Sequence, residues 1–314
     1  MVLIYGVSIT NTVDSFIVNQ LGGPEISRYI LAPLCVGLMT LALAFGNAIM
    51  LKIAQFVVYP LIVALAAVSL YLIPQWDLGS FMEAGDHTAG GVIKAIILIL
   101  PVLVFSFSFV AAISQFSLGM EKEYGADHHA QSDKVIRNSA ILLTVFTMFF
   151  VWSCALAMGA DGMQEANDKN LPVLSYFANE TGTPFMAYMA PIVVICAVAS
   201  SYFGHALGTI EGTQYLFNLA APKATKKMSA RTLDLWTYLF IFIATSLVGI
   251  FNPSILDMIS VVGGVFFAFM TYLLPIWVIY RVDALARFRG KKTNYFVAVM
   301  GFIVLFATIW GMFQ

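Results

Sequence analysis

VIKAIILILPVLVFSFSFVAAISQF, residues 92–116, decides how this sequence reads. Lys94 is its only charge, and the run is longer than the about 20 apolar residues a helix needs to cross the hydrocarbon of a bilayer. Seven further runs of this kind flank it, at roughly 29–48, 53–73, 137–158, 185–207, 234–251, 256–280 and 294–313. Only helices or closed barrels satisfy their backbone groups in lipid, and runs of this length are helical. The sequence therefore predicts an all-α polytopic membrane protein.

Composition agrees. Of 314 residues 60% are hydrophobic and 11% charged, where a soluble domain carries about 25% charge. Mean hydropathy is +0.87, an apolar surplus too large for one aqueous core. The net charge of −1 gives no reason to expect a nucleic-acid partner. Cys35, Cys154 and Cys196 all fall in apolar runs, without metal-like spacing or a disulfide framework. Apolar residues follow Met1 at once, with no basic leader, so no cleavable signal peptide is expected.

Segment 1–18 starts apolar and turns polar through Ser8, Thr10, Asn11, Thr12 and Asp14. It reads as the second half of a longer helix or as a buried amphipathic one. Gly22-Gly23-Pro24, Pro74 and Asn252-Pro253-Ser254 mark turns, the last also supplying an N-cap. The longest polar stretches are 74–91, 117–136, 159–184 and 208–233. Thirteen of the 16 basic residues fall in alternate loops, around Lys52, at 117–137, at 208–233 and at 281–292. Only Arg28, Lys94 and Lys169 lie in the other set. Basic loops stay in the cytoplasm, which puts 74–91, 159–184 and the C-terminus outside.

Chemistry in such a chain belongs to polar residues held inside spans, where an unpartnered polar group is costly. Three places qualify. In 101–116, Ser106, Ser108, Ser114 and Gln115 lie deep in one span. Phe105, Phe107 and Phe109 alternate at period two, which is not a helical stripe. A helix broken near 106–110 would free backbone groups able to bind the charged ends of an amino acid. An unbroken helix whose serines bond back one turn is the equal alternative. In the second place Ser200 and Ser201 are adjacent within a span. They could ligate an ion or join helices, and Gly204 and Gly208 suit close packing. His205 follows as a candidate proton relay or a packed side chain. The third place is Thr10, Asn11, Thr12 and Asp14; Asp257 and Gly263-Gly264 are weaker signals. No haem-spaced histidine pair, glycine-rich phosphate loop or Ser/His/Asp set supports an enzyme, and His128-His129 reads as a solvated loop pair.

Ile4–Asp14, Leu72-Ile-Pro-Gln-Trp76, Val104-Phe-Ser-Phe107, Glu123-Tyr-Gly125, Leu174–Asn179, Phe203-Gly-His-Ala-Leu-Gly208 and Asn252-Pro-Ser-Ile-Leu256 together resemble the bacterial hydroxy and aromatic amino acid permeases, which include the proton-coupled serine and threonine permeases. The resemblance runs nearly end to end. It implies a LeuT-like inverted-repeat helix bundle, here lacking the first two and a half helices. Residues 1–73 would be the remainder of repeat one, 92–280 repeat two, and 294–313 an extra C-terminal helix. By that count 92–116 is the broken first helix of repeat two. Serine and threonine permeases carry Asn and Pro near the break, where this chain has Ser108 and Ala111. They carry a Lys where this chain has Ser200.

The resemblance implies a secondary active transporter, a proton-coupled symporter importing a small polar amino acid such as serine or threonine across the bacterial inner membrane; the hydroxyls of Ser200 and Ser201 leave sodium as the alternative coupling ion. Phe105, Ser106, Phe107, Ser108 and Phe109 would bind substrate, Ser200 and Ser201 the coupling ion, and His205 would relay a proton. The expected partners are the amino acid and the lipid bilayer, with no metal, no other cofactor and no nucleic acid. The competing expectation is a non-transporting membrane fragment or scaffold subunit.

Overall fold

The computed structural model describes the backbone of the whole chain except residues 44–46, 84–86, 109, 181–182 and 314, and leaves undescribed the side chains of 47–51, 53–55, 80–81, 83, 110–112 and 114–115. The described residues form helices and no strand. In chain order these are α1 (Val2–Ser15), continued by a π-helical turn over Phe16–Gln20, α2 (Arg28–Leu43), α3 (Asn47–Leu72), α4 (Leu78–Glu83), α5 (Ala89–Phe107), α6 (Val110–Tyr124), α7 (His128–Asp168), α8 (Val173–Glu180), α9 (Pro184–Ala220), α10 (Pro222–Thr225), α11 (Ala230–Phe251), α12 (Ile255–Val261), two π-helical turns to Leu273, α13 (Leu274–Arg281) and α14 (Lys292–Gly311). Eight of the helical stretches described are long and apolar enough to cross a membrane. The chain is an all-α polytopic membrane protein.

Local chemistry sets the boundaries. Thr88, Ser229 and Ser254 each accept a hydrogen bond from the backbone N–H three residues on, capping α5, α11 and α12. Asn252 ends α11 in the left-handed region at φ 50°. Gly159, at φ 66°, bends α7, one residue after the expected span 137–158. A side chain there would be strained.

The helices fall into two compact units, residues 1–84 with 114–253, and residues 85–113 with 254–314. In the first, α1 packs on α9, α11 and α2, with α3 and α8 also on α9. Its core gathers Leu31, Val68, Leu72, Met186, Ala190, Val194, Tyr202 and Ile241. In the second, α5, α12, the π-helical turns and α14 pack together. Gly263 and Gly264 make this packing close. A Cβ on Gly264 would collide with Thr308; one on Gly263 would collide with the Pro101 carbonyl and stand 2.8 Å from the Phe105 Cβ. Leu34, Leu38, Phe302 and Phe306 are exposed while Ser8, Thr10, Asn11 and Thr12 are buried. This inverted distribution suits a lipid solvent.

Three boundaries differ from those expected. Segment 1–18 belongs to a continuous helical stretch, Val2–Gln20, whose apolar window is 56% buried against 39% for that of α9. Its polar residues lower its hydropathy because they face neighbouring helices rather than lipid. The span at 29–48 appears as the 16-residue α2, followed by residues outside the description. The polar stretches are themselves largely helical: α7 runs on to Asp168, and α8 occupies Val173–Glu180.

Candidate functional site

The helix over 92–116 is interrupted. α5 ends at Phe107, Ser108 is extended at φ −86° and ψ 125°, and α6 begins at Val110. Each helix end leaves up to four backbone groups without an intrahelical partner, so the break gathers free carbonyls from α5 and free N–H groups from α6. The Ser108 N–H still donates to Phe105 O at 3.3 Å. Its hydroxyl is buried and has no partner among the described residues. Such an orphan is costly in an apolar setting, and it makes Ser108 the polar side chain of the break with unused capacity.

Phe105, Ser106 and Phe107 remain helical, so of the break expected near 106–110 the described part begins at Ser108. Phe109 lies outside the described residues. The exposed Ser106 hydroxyl donates to Val102 O at 2.8 Å, the bond one turn back that serine makes in an intact helix. The Phe105 ring meets Phe267 edge-on with centroids 5.9 Å apart. Phe105 and Phe107, both helical and two residues apart, thus point in different helical directions and do not mark an extended strand of chain. A crevice of about 460 Å³ is lined by Leu98, Pro101, Asp257, Ser260, Ala307 and Thr308, among others.

The second candidate group lies on α9 in the other unit. Ser200 Oγ donates to Ala197 O at 3.0 Å. The Ser201 side chain lies next to that of Tyr5 on α1. His205 Nδ1 stands 2.8 Å from Ser201 O. A carbonyl only accepts, so Nδ1 carries the proton of this pair and Nε2 is left for exchange. The His205 ring lies 5.5 Å from that of Tyr5.

Around α1 the structure adds polar groups that the sequence did not connect. Asn11 Nδ2 donates to Asn170 O at 2.8 Å and to Asn252 Oδ1 at 3.0 Å, and Asn170 Nδ2 donates to Asn252 Oδ1 at 3.0 Å. Asn170 and Asn252 both have positive φ, a conformation asparagine tolerates better than most residues. Farther along, Gln20 donates to Asn179 Oδ1 at 2.6 Å and Asn179 to Ser15 Oγ at 3.1 Å, fastening α8 to α1 and its π-helical turn. A buried Thr40–Tyr202 hydroxyl pair at 3.0 Å joins α2 to α9. Beyond the bend in α7, Glu165 accepts from Tyr176 Oη and pairs with Lys169, each at 2.6 Å. The bond to Glu165 pushes the Tyr176 phenol up to about 12.

Comparison with known proteins places this geometry. Residues 26–314 match the family described as transmembrane amino acid transporter protein. The chain is 35% identical over 319 residues to the serine transporter SdaC of Escherichia coli K12, covering 100% of this chain and 74% of the relative. It is 34% identical over 330 residues to the threonine/serine transporter TdcC of Yersinia enterocolitica, covering 98% and 74%, and 35% identical over 333 residues to that of Escherichia fergusonii, covering 99% and 74%. No solved structure matches. The chain belongs to the transmembrane amino acid transporter family, among its serine and threonine permeases.

Proposed function

We propose that the protein is a cation-coupled symporter that imports serine, or a similarly small polar amino acid, across the inner membrane. The observation that carries this reading is the helix break at Ser108, whose buried hydroxyl has no partner among the described residues. A broken helix presents free N–H and carbonyl groups with their dipoles, which suit the carboxylate and ammonium of an amino acid. Ser108 would bond the polar part of the substrate, and Phe105, Phe107 and Phe109 would supply apolar surface near it. The names of the relatives, serine and threonine/serine transporters, support the substrate class.

Coupling is assigned to protons or sodium. Ser200 and Ser201 offer hydroxyl oxygens, which suit a hard cation. His205, with Nε2 free of the Ser201 bond, suits a proton. The distribution of loop charges supports a periplasmic C-terminus. Vesicles containing the intact protein should accumulate labelled serine against its gradient when a proton or sodium gradient is imposed, and unlabelled threonine should compete. Uptake that ignores both gradients would refute the coupling. Failure of every small polar amino acid to enter would refute the substrate class.

A further inference from the structure

The loop joining α13 to α14 concentrates charge. Arg281, Arg287, Arg289, Lys291 and Lys292 lie within twelve residues, and Asp283 is the only acid between Met258 and Gln314. Arg289 takes that acid, at 3.1 Å. Arg281, Arg287, Lys291 and Lys292 are exposed and have no ion pair among the described residues. Their aromatic neighbours are arranged around them. The Arg281 guanidinium lies 5.9 Å from the Trp277 ring centre, while Arg287 and Lys291 lie 4.8 and 5.0 Å from that of Phe288. Two cations on one ring, without a carboxylate between them, repel each other and invite an anion.

The loop is also fastened in place. Arg289 Nε donates to Ile279 O at 2.9 Å, the Gly290 N–H to the Tyr280 hydroxyl at 3.4 Å, and Asn294 Nδ2 to Phe288 O at 2.9 Å. Phe288, the ring the two cations share, is therefore tied by its carbonyl to the start of α14. Trp277, Tyr280, Tyr295 and Phe296 are exposed beside it, the aromatic belt of a helix end at the bilayer surface.

We propose that this loop is a binding site for an anionic phospholipid: Arg287 and Lys291 hold the phosphodiester, Arg281 adds charge from the end of α13, and the acyl chains run along the exposed aromatic side chains of α13 and α14. A zwitterionic lipid carries its own ammonium beside the phosphate and gains less from the same cations.

The test uses the intact protein in lipid nanodiscs with Trp277 as its only tryptophan, the other four replaced by Phe. Brominated phosphatidylglycerol should quench Trp277 more strongly than brominated phosphatidylcholine at equal mole fraction. Arg287→Gln with Lys291→Gln should reduce that preference by about fivefold for each cation removed. Both leaflets carry the probe, so the outcome is independent of which way the protein faces. Where the tryptophan-reduced protein does not fold, native mass spectrometry of the unaltered protein and the double variant reads the same preference as retained lipid adducts. Equal quenching or retention of the two lipids, or a preference that survives the double variant, would overturn the proposal.

Discussion

Asn11 and Asn252, 241 residues apart in the chain, are joined by a hydrogen bond of 3.0 Å from the amide of the first to the carbonyl oxygen of the second. Asn252 also accepts from Asn170 and caps α11 in the left-handed region. Asn252→Ala removes both bonds and the side-chain amide that lets asparagine tolerate positive φ, so it should destabilise the protein by about 2–4 kcal/mol. Asn252→Gly removes the same bonds and keeps the backbone relaxed, so its melting temperature should fall between alanine and wild type. An alanine variant that melts like wild type would show that the asparagines do not hold α1 to α11.

A glycine substitution tests the packing of the second unit. Gly264→Ala would drive a methyl into Thr308, and overpacking of this kind costs about 1–3 kcal/mol. Thr308→Gly vacates the same volume, so it should recover part of the lost melting temperature when combined with Gly264→Ala. Additive losses in the double variant would contradict the contact.

The Glu165–Tyr176–Lys169 cluster predicts a pH dependence. The Tyr176 phenol is raised from 10.0 to about 12, and the Lys169 ammonium is also raised, chiefly by Glu165. A group raised on folding adds stability that is fully present below its unfolded value and lost as the pH climbs through its folded value. The melting temperature should therefore fall between pH 10 and 12, and Tyr176→Phe should flatten that fall. Parallel curves for the two proteins would remove the cluster from the account.

Sidedness follows from the loop charges. In a variant lacking Cys35, Cys154 and Cys196, a cysteine at Asp168 should react with an impermeant thiol reagent in intact cells, and one at Lys226 should not. Both positions are exposed. Equal labelling of the two, or labelling at Lys226 alone, would contradict the assigned topology.

Much of the fold was legible because long apolar runs admit one secondary structure in lipid. The end of the fourth expected span at 158 and the bend at Gly159 agree for this reason, since glycine permits the φ that stops the helix there. Val2–Gln20 was harder to place: hydropathy measures side chains, and the Thr10, Asn11 and Thr12 that lower it are buried by helices distant in sequence. The break at 108 was visible only as an alternative, because serine suits both an interrupted helix and an intact one. Ser106 takes the second role and Ser108 the first, two residues apart, and no local pattern separates them. The asparagine clamp was missed because its three members are spread over 241 positions and become related only when α1 packs on α11 and the turn after α7 meets both.

The central claim is that the interrupted helix at Ser108 binds a small polar amino acid. The direct measurement is the initial rate of labelled serine uptake, against concentration, by the intact protein in vesicles, for wild type, Ser106→Ala and Ser108→Ala at matched protein levels. Loss of one hydrogen bond to a charged group weakens binding by about 1.5–3 kcal/mol, so Ser108→Ala should raise KM or lower uptake about 10- to 150-fold. Ser106→Ala should change it far less, because that hydroxyl is already bonded to Val102. Wild-type kinetics in Ser108→Ala, or a larger loss in Ser106→Ala than in Ser108→Ala, would contradict the assignment.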